Sequence, residues 1–256
     1  MTDPDVLVLC YHAVSARWRS PLAVSPDALR RQLECVLDRG YAATTFTRAV
    51  RDPPAARTVA VTFDDGFRSV WELALPVLET LGIPATMFVP TAFIGRPEPF
   101  AWPGLEAWAR GRAAGELRGL RWDEVADLAA HGWEIGSHTR THPRLPDLDD
   151  RALAAELRGS RADCADALAR SCDAIAYPYG ALDARVVAAA AAAGYRAAAS
   201  PPGPRFGHPA LTVPRIGLYE RDERARLAAK LSPSIRRLQG SPRWPPVARL
   251  ARAVGL

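Results

Sequence analysis

Short apolar runs alternate with longer amphipathic stretches along most of the 256-residue chain. The runs typical of β-strands are Val6–His12, Tyr41–Phe46, Thr58–Asp64, Ala85–Pro90, Trp133–His138, Ala174–Tyr179, Arg196–Ser200 and Leu211–Ile216. Apolar residues recur at helical spacing in Pro26–Arg39, Phe67–Leu81, Arg151–Ala169 and Ala184–Ala193. A glycine, the usual residue at a left-handed helix end, follows three of these four stretches. This alternation predicts an α/β fold with a mainly parallel sheet, and seven or eight strand–helix units would close a barrel.

Residues that can carry chemistry stand at the ends of the predicted strands. They are His12, Asp64, Asp65, His138 and Tyr179. In a parallel barrel the active site lies at the carboxyl ends of the strands, so these side chains are expected to meet there. The strand ends predicted from the apolar pattern and the positions of the reactive side chains therefore indicate the same end of the barrel as the site.

Two carboxylates and two histidines in this pattern indicate a metal-dependent hydrolase. Asp64 and Asp65 precede Gly66, where the chain can turn so that both address one site. His138 and His142 are four positions apart, which on a helical turn is close enough to share one ion. One carboxylate and two imidazoles make an open catalytic metal site, and the second carboxylate is then free to act as a base. The aspartate pair and the histidine pair each have a plainer interpretation as well. The aspartates can cap the next helix, and histidines in a loop can simply be exposed.

Composition narrows the classes of function. The net charge of +5 is modest, and no basic stripe interleaved with aromatic residues lies outside the C-terminus, so nucleic acid is not an expected partner. Neither a secretory signal nor an apolar stretch of about 20 residues is visible. The four cysteines form no Cys-x-x-Cys pair, which is typical of free thiols in a reducing compartment. We therefore expect a cytoplasmic protein.

Four motifs resemble the signatures of one protein family. Thr62–Gly66 (Thr-Phe-Asp-Asp-Gly) and Ser137–His142 (Ser-His-Thr-Arg-Thr-His) are similar to the first two motifs of the polysaccharide deacetylase family, also called NodB-homology or carbohydrate esterase family 4. Ala176–Gly180 is similar to the third motif, and Leu9–His12 resembles the N-terminal motif of the biofilm-exopolysaccharide deacetylase branch. The resemblance covers roughly Val6–Ile216. It implies a distorted (β/α)7-type barrel and the removal of acetyl groups from N-acetylated sugars.

The same resemblance implies roles for individual residues. Asp65, His138 and His142 would bind a divalent metal, most often zinc, with cobalt, nickel or manganese as alternatives. Asp64 would be the general base for the attacking water, while the metal and the backbone N–H of Tyr179 stabilise the oxyanion. Tyr179 is also expected to contact the sugar.

The chain departs from the family pattern at two points. The late histidine motif that supplies the acid in many members is absent, so we expect His12 to be the acid, with His208 as the alternative. A buried, hydrogen-bonded His12 is the plainer interpretation. The third-motif arginine that pairs with the base is also missing, at or near Ala176, and we expect Arg215 to replace it and hold Asp64 ionised.

Two tryptophans and the C-terminal segment are further candidates for contacts. Trp122 and Trp102 could stack on a sugar ring, although packing at the rim would also explain them. A deacetylase domain is predicted over residues 1–220, followed by a basic helix and tail over residues 221–256. This tail could lie on an anionic membrane surface, but a solvated basic helix is the plainer interpretation.

These features predict a metal-dependent hydrolase that removes N-acetyl groups from an N-acetylated amino sugar or glycoconjugate. Two alternatives stay open. One is a hydrolase of another C–N bond, such as a cyclic amide, on the same fold. The other is a catalytically weak carbohydrate-binding relic, which the departures from the family pattern would allow.

Overall fold

Parallel strands form the central sheet of the molecule. The computed structural model describes residues 4–203, 206–234 and 236. Within these residues the strands are β1 (Asp5–Tyr11), β2 (Ala13–Val14), β3 (Ala23–Val24), β4 (Ala42–Thr44), β5 (Arg57–Phe63), β6 (Ala85–Val89), β7 (Glu134–Ser137), β8 (Ala174–Ala176), β9 (Ala197–Ser200), β10 (Val213–Pro214) and β11 (Ile216–Gly217). The short strands β2 and β3 pair with each other, and the others belong to one sheet ordered β10-β9-β8-β7-β6-β5-β1-β11, with β4 beside β5.

The sheet curls until one stretch of chain lies against both of its edges. β10 pairs with β9, and β11 pairs with β1. Arg215 stands between these two short strands, and its N–H donates to the Ser200 carbonyl at 2.9 Å. If β10 and β11 are counted as one strand, the sheet is a nearly closed barrel of seven strands. The other six are β1 and β5 to β9. The predicted α/β barrel is confirmed.

Helices pack against the sheet between the strands. They are α1 (Pro26–Leu37), α2 (Phe46–Arg51), α3 (Leu75–Leu81), α4 (Glu106–Ala109), α5 (Trp122–Ala130), α6 (Asp150–Leu168), α7 (Ala184–Ala192) and α8 (Arg224–Leu231). The stretch 67–81, predicted as one helix, is helical from Arg68 to Leu81 and contains a π-helical turn at Val70–Ala74. Pro76 has no N–H to donate four residues back, and Leu75 donates to the Val70 carbonyl. In the described part of the chain, no helix is long and apolar enough to span a membrane.

Apolar side chains pack on both faces of the strands. The larger cluster joins the strands to the surrounding helices, with Leu9, Leu33 and Leu78 among its fully buried members. Alternate strand positions form a smaller cluster of mostly short side chains around the Phe46 and Phe88 rings. Phe88 also contacts a predicted site residue, because the Arg215 guanidinium lies over its ring, 5.6 Å from the centroid.

Two features lie outside the strands of the barrel. The segment of residues 96–119 contains α4 and buries Trp102 and Leu105. Helix α8 begins at Arg224, but residues 237–256 of the expected basic tail lie outside the described residues. The division at residue 220, the cytoplasmic location and the membrane contact stay predictions.

Candidate metal-dependent active site

Strand β5 delivers two carboxylates that point in different directions. The N–H of Asp64 still donates to the Tyr11 carbonyl on β1, at 3.0 Å. Asp65 and Gly66 then have left-handed φ angles of 71° and 67°, a conformation that costs a non-glycine residue about 1–2 kcal/mol. The next helical residue is Arg68, whose N–H donates to the Arg118 carbonyl at 2.8 Å, so neither aspartate is the residue that caps this helix.

Asp65, His138 and His142 converge on one point. Their ligand atoms all lie within 4.8 Å of one another, and Oδ1 of Asp65 is 3.3 Å from Nε2 of each histidine. The three residues are only 4%, 2% and 5% exposed. Both imidazoles therefore aim the same ring nitrogen at one buried carboxylate oxygen.

The other ring nitrogen differs between the two histidines. Nδ1 of His138 lies 2.8 Å from the Ala176 carbonyl oxygen, so Nδ1 is the donor and the Nε2 lone pair faces Asp65. Nδ1 of His142 is buried and has no hydrogen-bond partner within the described residues. Trp102 holds the His142 ring instead, stacking on it with the centroids 4.4 Å apart. One imidazole is therefore oriented by a hydrogen bond and the other by packing.

The two histidines lie on a loop, not on the helical turn that their spacing suggested. Thr139 and His142 have left-handed φ angles of 65° and 57°. Oγ1 of Thr139 accepts a hydrogen bond from the N–H of His142 at 3.1 Å, and Oγ of Ser137 accepts from the N–H of Thr139 at 3.0 Å. The loop still brings the rings of His138 and His142 together, with centroids 4.9 Å apart.

These three side chains fit a divalent cation such as zinc. One carboxylate and two imidazoles are a ligand set that leaves a coordination position open. Burial opposes the charge of Asp65, but the adjacent His138 and His142 side chains hold its pKa well below the usual value. The two distances of 3.3 Å between Oδ1 of Asp65 and the histidine Nε2 atoms are longer than most N–H···O hydrogen bonds. The three potential ligand atoms face a common centre.

Asp64 has a separate partner, Arg215. The guanidinium donates to both carboxylate oxygens, from Nη1 to Oδ1 at 2.7 Å and from Nη2 to Oδ2 at 2.6 Å. Nη1 also donates to Oγ1 of Thr62 at 3.0 Å. Burial would raise the pKa of Asp64, but Arg215 outweighs it and the pKa lies below the usual value. The structure thus brings Arg215 into a bidentate contact that orients a charged Asp64.

A cleft of about 650 Å³ opens over these residues. His12 lines it, and ligand atoms of His12, Cys10 and Asp64 lie within 4.8 Å of one another. This second cluster suits a cation less well, because Asp64 already gives both oxygens to Arg215. Sequence reasoning missed Cys10, although its spacing of two from His12 places both on one side of β1. Burial raises the pKa of the Cys10 thiol.

The remaining predicted site residues have different positions. Tyr179 has a left-handed φ of 58°, lines the cleft and meets the His142 ring at a centroid distance of 4.6 Å. Trp122 lines a separate depression beside Arg140, so its predicted contact with the sugar is not supported. His208 is exposed and is not among the described residues that line the cleft.

Comparison with known proteins identifies the family. A family model described as polysaccharide deacetylase matches residues 51–198, more than half of the chain. The chain therefore belongs to the polysaccharide deacetylase family. It is 26% identical over 194 residues to YxkH of Bacillus subtilis (strain 168), which is provisionally named a polysaccharide deacetylase. The match covers 74% of this chain but 62% of YxkH, so the chain spans about three fifths of that relative's length.

Solved structures share the barrel. PplD, a deacetylase of Streptococcus pyogenes solved in complex with acetate, superposes with a TM-score of 0.73 at 23% identity, over 91% of this chain and 100% of PplD. IcaB of Ammonifex degensii superposes with a TM-score of 0.69 at 24% identity, over 90% of this chain and 99% of IcaB. At these identities the likeness shows the fold. Members of the family generally use a divalent metal, and Asp65, His138 and His142 form the candidate site here.

Proposed function

We propose that this chain is a metal-dependent N-deacetylase that removes acetyl groups from an N-acetylated amino sugar in a glycan or glycoconjugate. The observation that carries the proposal is one cleft that holds both the Asp65–His138–His142 cluster and the Asp64–Arg215 pair. Membership of the polysaccharide deacetylase family supports the class of reaction. The Asp64–Arg215 pair also favours a working enzyme over a binding relic, because a base without an arginine was one ground for that alternative.

Asp65, His138 and His142 are the proposed metal ligands. Zinc is the proposed ion, and cobalt, nickel and manganese are the alternatives, since imidazole and carboxylate donors accommodate all of them. When bound, a divalent cation polarises a carbonyl group and lowers the pKa of water. Loading the protein with each ion in turn, and measuring both affinity and turnover, would rank the four.

Asp64 is the proposed general base. Arg215 holds both of its oxygens in a fixed orientation and keeps the carboxylate ionised. An ionised, oriented carboxylate can accept a proton from the attacking water.

His12 is the proposed general acid, and the Tyr179 backbone is the proposed oxyanion donor. His12 lines the cleft close to Asp64, and an imidazolium can give its proton to the nitrogen of the leaving amine. The N–H of Tyr179 would donate to the acetyl oxygen as that oxygen gains charge. The left-handed backbone at Tyr179 is a strained conformation of the kind that functional sites retain.

The dimensions of the cleft favour a substrate of more than one sugar. A second cavity of about 760 Å³ adjoins the cleft, and the two share Pro21 and Tyr219. Tyr179 and Tyr219 are 42% and 41% exposed and offer aromatic faces on which sugar rings can stack. An acetylated oligosaccharide, free or attached to a carrier, is therefore the proposed substrate.

Acetate release tests the reaction. The zinc- or cobalt-loaded protein would be given N-acetylglucosamine oligomers of increasing length, together with lipid-linked and nucleotide-linked N-acetyl sugars. We expect Asp64→Asn to lower turnover by about 10²–10⁴-fold while the metal stays bound, and the surface variant Asp166→Asn to behave as wild type. Metal binding without acetate release from any substrate would contradict the proposal. Ring opening of cyclic amides without acetate release would favour the alternative C–N hydrolase.

A comparison of two histidine variants tests which residue is the general acid. His12→Gln should lower turnover by about 10²–10⁴-fold with little change in metal affinity, whereas His208→Gln should leave both unchanged. The opposite result would make His208 the acid.

A further inference from the structure

We infer that a polar stripe on helix α6, formed by Glu156, Ser160 and Asp163, positions the loop of residues 137–142 that bears both histidines. The inference rests on the proposed function, because it concerns how the proposed metal ligands are held. Spacings of four and three put the three residues on one face of the helix. None of them lines the cleft, so the stripe acts on the site through the loop.

Glu156 holds the middle of the loop by its backbone. Oε2 accepts hydrogen bonds from the N–H groups of Arg140 and Thr141, at 2.8 and 2.9 Å. Oε1 accepts from Oγ1 of Thr141 at 2.6 Å. Because two consecutive N–H groups point at one carboxylate, the backbone between the two histidines is fixed relative to α6.

Ser160 holds the start of the loop through a chain of hydroxyl groups. It is fully buried, and its Oγ accepts a hydrogen bond from Oγ of Ser137 at 2.8 Å. Ser137 in turn accepts from the N–H of Thr139 at 3.0 Å. The hydroxyl of Tyr195 lies 3.1 Å from the same Ser160 oxygen. The left-handed Thr139 is thereby tied to α6 in two steps.

Asp163 joins the loop to the segment that follows β6. Oδ2 accepts from Nε of Arg140 at 2.9 Å and from Oγ1 of Thr91 at 2.6 Å. The N–H of Thr91 donates back to the Thr139 carbonyl at 3.1 Å. Gly159 makes room for this contact, since a Cβ at that position would stand 2.5 Å from Cδ of Arg140.

The loop needs such support because of its backbone. Thr139 and His142 are left-handed without being glycine, and such residues persist only where the surroundings over-determine them. Groups that orient metal ligands from outside typically contribute about 10–100-fold to metal affinity. The stripe is therefore a determinant of how tightly the site binds its cation.

Competition for zinc with a chelating dye tests this role directly. Glu156→Ala should bind zinc about 10–100-fold more weakly than wild type. Glu156→Gln should stay near the wild-type affinity, because its carbonyl oxygen can still accept from both N–H groups. Asp166→Ala is the matched control: it removes a carboxylate one turn beyond Asp163, and within the described residues none of the hydrogen bonds to the loop comes from Asp166.

Each outcome decides the matter. If Glu156→Ala and wild type bind zinc with equal affinity, and their metal-free forms have the same Tm in chelator, the inference is overturned. The proposed function would still stand. An equal loss in Asp166→Ala would also overturn the inference, since the effect would then be one of charge. If Glu156→Ala does not fold, Ser160→Ala removes a single oxygen from the buried network and should weaken zinc binding by about tenfold. Failure of the wild type to bind any of the four metals would overturn both proposals.

Discussion

Asp64 and Asp65 are neighbours in the chain, yet their side chains meet different partners. Asp64 faces the permanent cation of Arg215 at 2.6 Å, whereas Asp65 faces two imidazoles at 3.3 Å. Burial opposes both charges, and in each case the partners lower the pKa of the carboxyl group. Both carboxylates are therefore ionised at neutral pH, and the left-handed turn at Asp65 directs them to separate tasks.

Removing Arg215 should be costly. In Arg215→Ala the buried Asp64 loses its compensating charge, and we expect the free energy of unfolding to fall by about 3–5 kcal/mol in urea titrations. The control is Arg144→Ala: Arg144 pairs with Asp147 at the surface, with side chains 59% and 68% exposed, and should change stability by about 0–1 kcal/mol.

A double variant separates charge from packing at the same pair. Asp64→Asn combined with Arg215→Met removes both charges, so much of the stability lost in Arg215→Ala should return. A double variant as unstable as Arg215→Ala would contradict the charge explanation, because neutralising Asp64 would then have restored none of the lost stability.

At the scale of the elements, strand β7 carries the loop of residues 137–142 and passes very close to its neighbours. A Cβ on Gly136 would stand 2.6 Å from two ring atoms of Phe88 and 3.1 Å from the Ala174 carbonyl oxygen. Phe88 lies beneath Arg215. The absent side chain at Gly136 thus sets the spacing of β6, β7 and β8 under the Asp64–Arg215 pair.

Filling this space should destabilise the protein. We expect Gly136→Ala to lower the free energy of unfolding by about 1–3 kcal/mol, because the Phe88 ring and the strand must shift. Gly115→Ala is the control, since a Cβ at Gly115 meets nothing within 4 Å. Equal unfolding midpoints for the two variants would show that β7 has room to move.

A second contact between distant elements lies at the start of β1. Nη2 of Arg236, beyond α8, donates to Oδ1 of Asp5 at 2.6 Å, and the Tyr41 hydroxyl donates to Oδ2 of Asp5 at 2.6 Å. Burial opposes the charge of Asp5, but Tyr41 and Arg236 outweigh it and lower its pKa. The end of the described chain is thereby tied to the first strand of the barrel.

This contact should make a pH-dependent contribution to stability. Asp5→Asn should lower the free energy of unfolding by about 0.2–1 kcal/mol at neutral pH. Because the pKa of Asp5 is lower in the folded state, its contribution is present above the unfolded value of about 3.9 and is lost as the pH falls through the folded value. In urea titrations at decreasing pH, the difference between wild type and variant should therefore shrink in acid. A difference that is constant down to about pH 2 would assign the effect to neutral hydrogen bonds.

At the scale of the whole molecule, the proposed ligands come from strands that are not neighbours. Asp65 follows β5, and His138 follows β7, with β6 between them. Arg215 comes from the segment that closes the barrel. A cation bound by Asp65, His138 and His142 would connect the ends of two strands that are not neighbours. Cation binding and folding should therefore be linked.

Metal removal should therefore lower the thermal stability. At a free zinc concentration about 100 times the Kd, binding contributes about 2.7 kcal/mol, which for a chain of this size corresponds to a fall in Tm of about 5–10 °C on chelation. Adding zinc back should restore the Tm of the wild type, while His142→Gln should respond weakly to both treatments. A wild-type Tm that is the same with zinc and with chelator would argue against a metal site in the folded protein.

The sequence by itself determined the class of fold and the residues at the centre of the candidate site. Strand and helix periods and glycine stops are local patterns, and they predicted the parallel barrel that the structure and the family comparison confirm. Asp64, Asp65, His138 and His142 were predicted because catalytic groups collect at strand ends, and because their spacing matches known motifs. Arg215 was predicted as the partner of Asp64 on the same ground, its position at the end of the last strand.

Only the tertiary structure decided which side chains support that centre. The ring of Trp102 packs on His142, whereas Trp122, predicted from its place in the sequence, lies beside another depression. The loop between the histidines is held by α6 through Glu156 and its neighbours, although no motif marks that helix. These contacts join residues far apart in the chain. They depend on strand register, helix rotation and barrel closure, which are set by the sum of many packing interactions and leave no local pattern to read.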